Sequence, residues 1–258
     1  MPQAICELAP IAINRNLIVN RHVPPFDNPD LRQDRKSFID IITQEQGDIG
    51  GVMQPLPERL WGMPPEVLKA LPGYDPDLKK NRAEARKIMN KVGYGPGNRL
   101  KVKLTARDLP YLQDPAMILV DQLKEVYIDG DLETIDTTNY LPEGLRRDYV
   151  VGLSRAGSRP DPYQGLYLNY GRGGELNYNG HCNPQVDALI DSQSIEADQA
   201  KRKRLICEIE RELAEDGTRP IIFYDRRVTC WQPHVKGWTV MVNSIFNGWR
   251  MEDVWLEK

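Results

Sequence analysis

The groups best able to do chemistry are three histidines, His22, His181 and His234, and four cysteines, Cys6, Cys182, Cys207 and Cys230. A metal site needs several such ligands converging at helical or short-loop spacing. No histidine stands three or four residues from another ligand on a candidate helix, and adjacent His181 and Cys182 project in different directions. The cysteines are far apart with no CxxC pair. They read as buried thiols, and their even number allows one disulfide, which leaves the redox compartment open. There is no GxSxG elbow, and GRGG at 171–174 lacks the Gly-Lys-Ser/Thr ending of a phosphate loop and opens no helix. Asp161 with Glu175, or Asp131 with Glu133, offers an acid–base pair only on paper, because solvated carboxylates are abundant. No catalytic residue, metal ligand or cofactor-binding residue is assigned.

What remains is the stretch GSRPDPYQGLYLNYGRGGE, residues 157–175, with five glycines and two prolines. It reads as an irregular surface loop whose glycines let a ligand approach main-chain N–H and C=O groups. Arg155 and Arg159 flank its start and suit a carboxylate or other anion.

The elements that must position this loop alternate. Leu17 to Asn20 is a short strand, and Asn28-Pro29 starts a helix that places Leu31, Phe38, Ile41 and Ile42 on one face. A proline- and glycine-rich excursion follows, with a short helix around Glu66 to Leu71. Asn81-Arg-Ala-Glu84 has capping-box spacing for a helix that stops at Gly93. LKVKLTA at 100–106 alternates as a half-buried strand, and Asp114-Pro115 opens a helix to Val126. Strands at 131–137 and 149–154, helices at 184–195 and 198–215, and the buried strand PIIFY at 220–224 complete the pattern. This rhythm predicts an α/β domain with a mixed or parallel sheet. The tail VTCWQPHVKGWTVMVNSIFNGW departs from it, and its tryptophans are expected to pack rather than to form a binding face.

With 258 residues, 40% hydrophobic and 28% charged, the chain reads as a soluble globular protein. Its net charge of -3 gives no attraction to nucleic acid or anionic membrane. No apolar run approaches the roughly 20 residues of a membrane-spanning helix.

Six segments, in order, resemble one family, the solute-binding proteins of peptide/nickel-type ABC importers. They are LIVNRHVPPFDNPDLRQDRKSFIDI, LPGYDPDLKKNRAEARKIMNKVGY, LKVKLTARDLPYLQDPAMILVDQLKEV, DYVVGLSRAGSRPDPYQGLY, NYNGHCNPQVDALID and TRPIIFYDRR with VKGW. The resemblance implies a periplasmic-binding-protein-like (type II) lobe, a mixed sheet flanked by helices. Residues 1–15 are then a crossing from a first lobe, 16–225 the second, ligand-binding lobe, and 226–258 a return that completes lobe one. It implies a fragment of a longer protein, periplasmic or lipid-anchored outside the cell. Its partners are then a peptide-like or anionic small molecule, the ABC permease subunits and the N-terminal lobe, with no nucleic acid.

In peptide-binding relatives an aspartate in the turn after the ligand-side strand pairs with the peptide's α-ammonium. Matching Asp161-Pro162 to the family's D-P places Ser158 there, with Gly157 as the alternative, and neither carries a carboxylate. An ammonium left unpaired in such a cleft costs about 3–5 kcal/mol. The expected ligand-side residues are Arg155, Gly157, Ser158 and Arg159, with Tyr224 from the last strand. The rival readings are an α/β hydrolase built on acidic residues and an interaction module built on the aromatic tail.

Overall fold

Residues 4–27, 61–71, 74, 77–157, 159, 161–217, 219–241 and 248–257 are described by a computed structural model. A five-stranded mixed sheet runs in the order β3-β2-β4-β1-β5. Its strands are β1 (Ile5–Val19), β2 (Leu100–Arg107), β3 (Ile128–Ile135), β4 (Val151–Gly157) and β5 (Ile221–Trp231). Parallel pairing joins β2 to β3 and to β4, whereas β1 runs antiparallel to both β4 and β5.

The sheet is flanked by helices of ordinary local logic. The short α1 (Pro65–Ala70) lies where the excursion was expected to hold a helix. α2 (Leu78–Lys91) starts a turn before the Asn81 box, because the Asp77 carboxylate accepts the amides of Lys79 and Lys80. α3 (Pro110–Leu123) has a proline at its first position and absorbs Pro115, so it too begins earlier than Asp114-Pro115 suggested. α4 (Thr137–Arg146) is capped by Asp136, and α6 (Pro184–Ile195) by Asn183, whose Oδ1 accepts the Gln185 amide. α7 (Gln199–Asp216) is capped by Asp198 and closed by Gly217, which adopts the left-handed φ of 54°. The helix expected after Asn28-Pro29 lies outside the described residues.

The stretch 157–175 is not wholly irregular. Residues Pro162–Tyr170 form α5, with Asp161 as N-cap and Pro162 at the first helical position. The cap–proline pair decides the local structure, and the glycine at 165 sits within the helix rather than breaking it.

One face of the sheet packs on α2 and α3. Leu17, Leu104, Leu153 and Ile222 meet Ala85, Met89, Leu112, Leu119 and Leu123 in one buried cluster. Each leucine, isoleucine or methionine so withdrawn from water contributes about 1.5–3 kcal/mol. A second cluster joins α5, α6 and α7 through Leu166, Tyr170, Val186, Ile190, Ile206 and Leu213. Gly152 lies opposite Ile18 in the β1–β4 ladder, and a Cβ there would meet Ile18 Cγ1 at 2.8 Å, so only glycine fits.

β1 is far longer than the expected Leu17–Asn20. Its second half pairs with β4 from Ile13↔Gly157 to Val19↔Val151, and its first half pairs with β5 alone, from Ile5↔Trp231 to Pro10↔Arg226. The result is a two-stranded ribbon that runs on past the end of β4. Its register shifts between Pro10 and Asn14, where proline has no N–H for the ladder. Cys6 and Cys230 face each other along the ribbon and form a disulfide. Beyond it, β6 (Val235–Lys236) pairs with β7 (Trp255–Leu256), and Trp231 stacks on Trp238 at 6.3 Å. Apolar side chains stay exposed along this end, among them Ile5, Leu8, Val228, Trp255 (55%) and Leu256 (66%).

Candidate functional site

Because β2, β3 and β4 are parallel, their carboxyl ends share one edge, the edge where open α/β sheets generally bind ligands. A cavity of about 200 Å³ opens where β4 ends and α5 begins. Arg155, Gly157, Arg159, Asn169, Tyr178 and Arg219 are among its lining residues. Three of the five residues expected from sequence, Arg155, Gly157 and Arg159, are therefore brought together. Ser158 lies outside the described residues. Tyr224 is fully buried opposite Asn14 in the β1–β5 ladder and does not line the cavity. Burial drives its phenol pKa well above the ordinary value, so it acts as a neutral core residue.

The residue missed by sequence reasoning is Arg219, which is only 3% exposed. Its Nε donates to Asn16 Oδ1 at 2.8 Å and its Nη1 donates to Asn169 Oδ1 in a short hydrogen bond. Both acceptors are held in turn: Asn16 Nδ2 donates to Asn14 Oδ1 at 2.7 Å, and Asn169 Nδ2 donates to the Gly165 carbonyl at 2.8 Å. The guanidinium lies 6.0 Å from the Tyr178 ring. No ion pair joins it to a described carboxylate. Arg219 directly precedes Pro220 and the buried strand, a position at the strand's mouth that flags it in principle.

Tyrosines surround this charge. Tyr140 donates to the Leu153 carbonyl and Tyr149 to the Tyr178 carbonyl. Burial raises the pKa of Tyr140, Tyr149 and Tyr178, and the Arg219 charge opposes it at all three. Arg107, at the end of β2, stacks over Tyr140 at 5.5 Å, and its buried Nε has no hydrogen-bond partner. Two guanidinium groups, those of Arg107 and Arg219, thus lie against this group of tyrosines.

The opposite face of β1 holds a separate pair. Arg15 lies opposite Arg155 in the ladder, so although Arg155 borders the cavity its side chain shares the face of Arg15 and not that of Asn16 and Arg219, and Arg15 reaches Asp225 at 3.1 Å.

Two of the four acids considered for catalysis, Asp161 and Glu133, are in ordinary surface pairs. Both Asp161 oxygens accept from Arg202 Nη2 at 2.8 Å, and Glu133 pairs with Lys103. Among the described residues no group of three histidines, cysteines or carboxylates could hold a metal ion. His181 is buried, and its Nδ1–H donates to the Tyr170 carbonyl at 2.8 Å, while Nε2 has no partner. Burial pushes its pKa below the ordinary value of 6.5. The unfolded chain then takes the proton first, so the stabilisation is complete above about pH 6.5 and is lost as pH falls through the lower folded value. The melting temperature should fall on acidification in this window, and less so in His181→Gln. Identical pH profiles for the two proteins would exclude His181 as the cause.

No protein-family model matches the chain, and no curated protein sequence matches it. Solved structures do. The oligopeptide-binding protein AppA from Bacillus subtilis, in complex with a nonapeptide, is similar over 100% of this chain and 53% of its own, with TM-score 0.76 and 16% identity. The ABC transporter-associated periplasmic binding protein DppA from Helicobacter pylori, in complex with the peptide STSA, is similar over 100% and 50%, with TM-score 0.76 and 19% identity. NikA from Staphylococcus aureus, in complex with Ni(L-His)2, is similar over 94% and 51%, with TM-score 0.73 and 19% identity. The chain thus has an α/β, periplasmic-binding-protein-like fold, the fold it shares with these structures. It spans about half the length of these structures. No described helix is long and apolar enough to cross a membrane.

Proposed function

We propose that this chain is the second lobe of a solute-binding protein that delivers its ligand to an ABC permease from the periplasm or the outer cell surface. Residues 1–15 arrive from a first lobe, 16–225 form the ligand-binding lobe, and 226–258 return to the first. The observation that carries this reading is the cavity at the carboxyl edge of β4, lined by Arg155, Gly157 and Arg159. The ribbon of β1 and β5, which passes that edge, and the exposed apolar residues at its end support a neighbouring lobe there. The Cys6–Cys230 pair suits an oxidising compartment.

Function then follows from closure: a solute bridging two lobes populates the closed form that the permease recognises. One lobe holds half of the contacts, so the 258-residue chain alone binds weakly. The two positions matched to the family's α-ammonium aspartate, Ser158 and Gly157, carry no carboxylate, and Asp161 is engaged by Arg202, so the ligand is not an ordinary free-amine peptide. Calorimetry of the chain against di- and tripeptides and small organic acids, with the solutes recovered and weighed by mass spectrometry, tests this. Weak binding with every solute unchanged is expected. A solute converted to product overturns the binding role, and micromolar peptide binding abolished by N-acetylation overturns the ligand class.

A further inference from the structure

We infer that Arg219 is the anchor of an oxyanion subsite, so that the solute presents a carboxylate or phosphate group to the cavity after β4. This deepens the solute-binding reading and rests on it.

A guanidinium withdrawn from water normally sits against a carboxylate, because neutral acceptors solvate its charge without cancelling it. Arg219 is 3% exposed, its hydrogen-bond partners Asn16 and Asn169 are neutral, and it lines a cavity with no acidic residue among the described lining residues. An arginine carries five N–H donors, and these two bonds use Nε and one hydrogen of Nη1. The remaining donors are available to a ligand.

The fork is also fixed before any ligand arrives. Each asparagine is oriented by its own Nδ2 hydrogen bond, to Asn14 Oδ1 and to the Gly165 carbonyl, so both amide oxygens are committed to Arg219. A donor locked by its neighbours loses little freedom when it binds. Arg159 on the same cavity and Arg107 across Tyr140 add positive charge from the end of β4 and the end of β2. The space itself selects size. At about 200 Å³ it falls below the roughly 300–1,000 Å³ of a pocket that swallows a whole drug-sized ligand. It takes the charged end of a solute and leaves the remainder outside.

The test is calorimetric titration of the 258-residue chain at constant ionic strength with succinate, inorganic phosphate, neutral succinamide and a zwitterionic dipeptide. Saturable binding of succinate, phosphate or both is expected, with none by succinamide. Succinate without phosphate assigns a carboxylate, and phosphate without succinate assigns a phosphate group. Arg219→Gln should weaken the bound anion about 10- to 100-fold, the range of one or two charge-assisted hydrogen bonds, and Arg219→Lys less. Arg159→Gln on the cavity wall should also weaken it, and it keeps the test open if Arg219→Gln fails to fold. Absence of saturable anion binding, equal binding of succinamide, or anion binding unchanged in Arg219→Gln or in Arg159→Gln overturns the subsite. Dipeptide binding that ignores Arg219→Gln overturns it too but leaves the solute-binding role standing, whereas chemical conversion of a probe removes that role instead.

Discussion

Reducing the Cys6–Cys230 disulfide should lower the melting temperature by roughly 10 °C. The bond joins residues 224 apart, so in the unfolded chain it closes almost the entire molecule into a loop. Loop-closure entropy for a span of this length amounts to about 5 kcal/mol. In a domain of this size each kcal/mol moves the midpoint by about 2–4 °C. Both cysteines are exposed, so a small thiol reaches them without prior unfolding. The Cys6→Ser/Cys230→Ser variant should melt with the reduced protein, and reductant should no longer shift it. Coincident melts of oxidised and reduced wild type, or two free thiols at these positions in protein purified under oxidising conditions, would refute the linkage.

The second large effect lies at Asp225. Arg15 and Asp225 are both mostly buried, and Nε and Nη1 of Arg15 have no hydrogen-bond partner. Burial lowers the Arg15 pKa and raises that of Asp225, in each case against the pull of the other charge. The desolvation of the two ions therefore outweighs their attraction, and the Tyr111 ring 5.1 Å from the guanidinium recovers only part. Asp225→Ala strands a buried cation and should cost about 3–5 kcal/mol, read from urea denaturation. Arg15→Met/Asp225→Leu removes both charges and should return to within about 1 kcal/mol of wild type. A single variant as stable as wild type, or a double variant less stable than the single, would contradict this account.

Local chemistry was legible where a cap and a proline coincide. Asn183-Pro184 marks the start of α6 to the residue, since its hydrogen bonds are made within the next turn. Asp161-Pro162 carries the same signal for α5, but five glycines nearby obscured it. β1 was legible only over its apolar end. Asn14, Arg15 and Asn16 look like loop residues in sequence, yet they occupy an interior strand, where distant partners reach two of them: Arg219 for Asn16 and Asp225 for Arg15. Arg219 was hidden for the same reason. Its partners lie 203 and 50 residues away, and no local spacing encodes them. The resemblance pointed to the turn after β4 because that turn is a continuous motif. It placed Tyr224 by nearness to the crossing, where strand alternation instead turns the side chain inward.

The Cys6–Cys230 bridge has a mechanical meaning as well. Two strands stapled near their outer tip cannot slip lengthwise past one another, so shear along the ribbon is forbidden. Flexure is not, and the ladder's regular pairing is interrupted between Pro10 and Asn14. Whatever is mounted past that point can tilt as a rigid paddle on a single leaf spring, with its two strands kept in step.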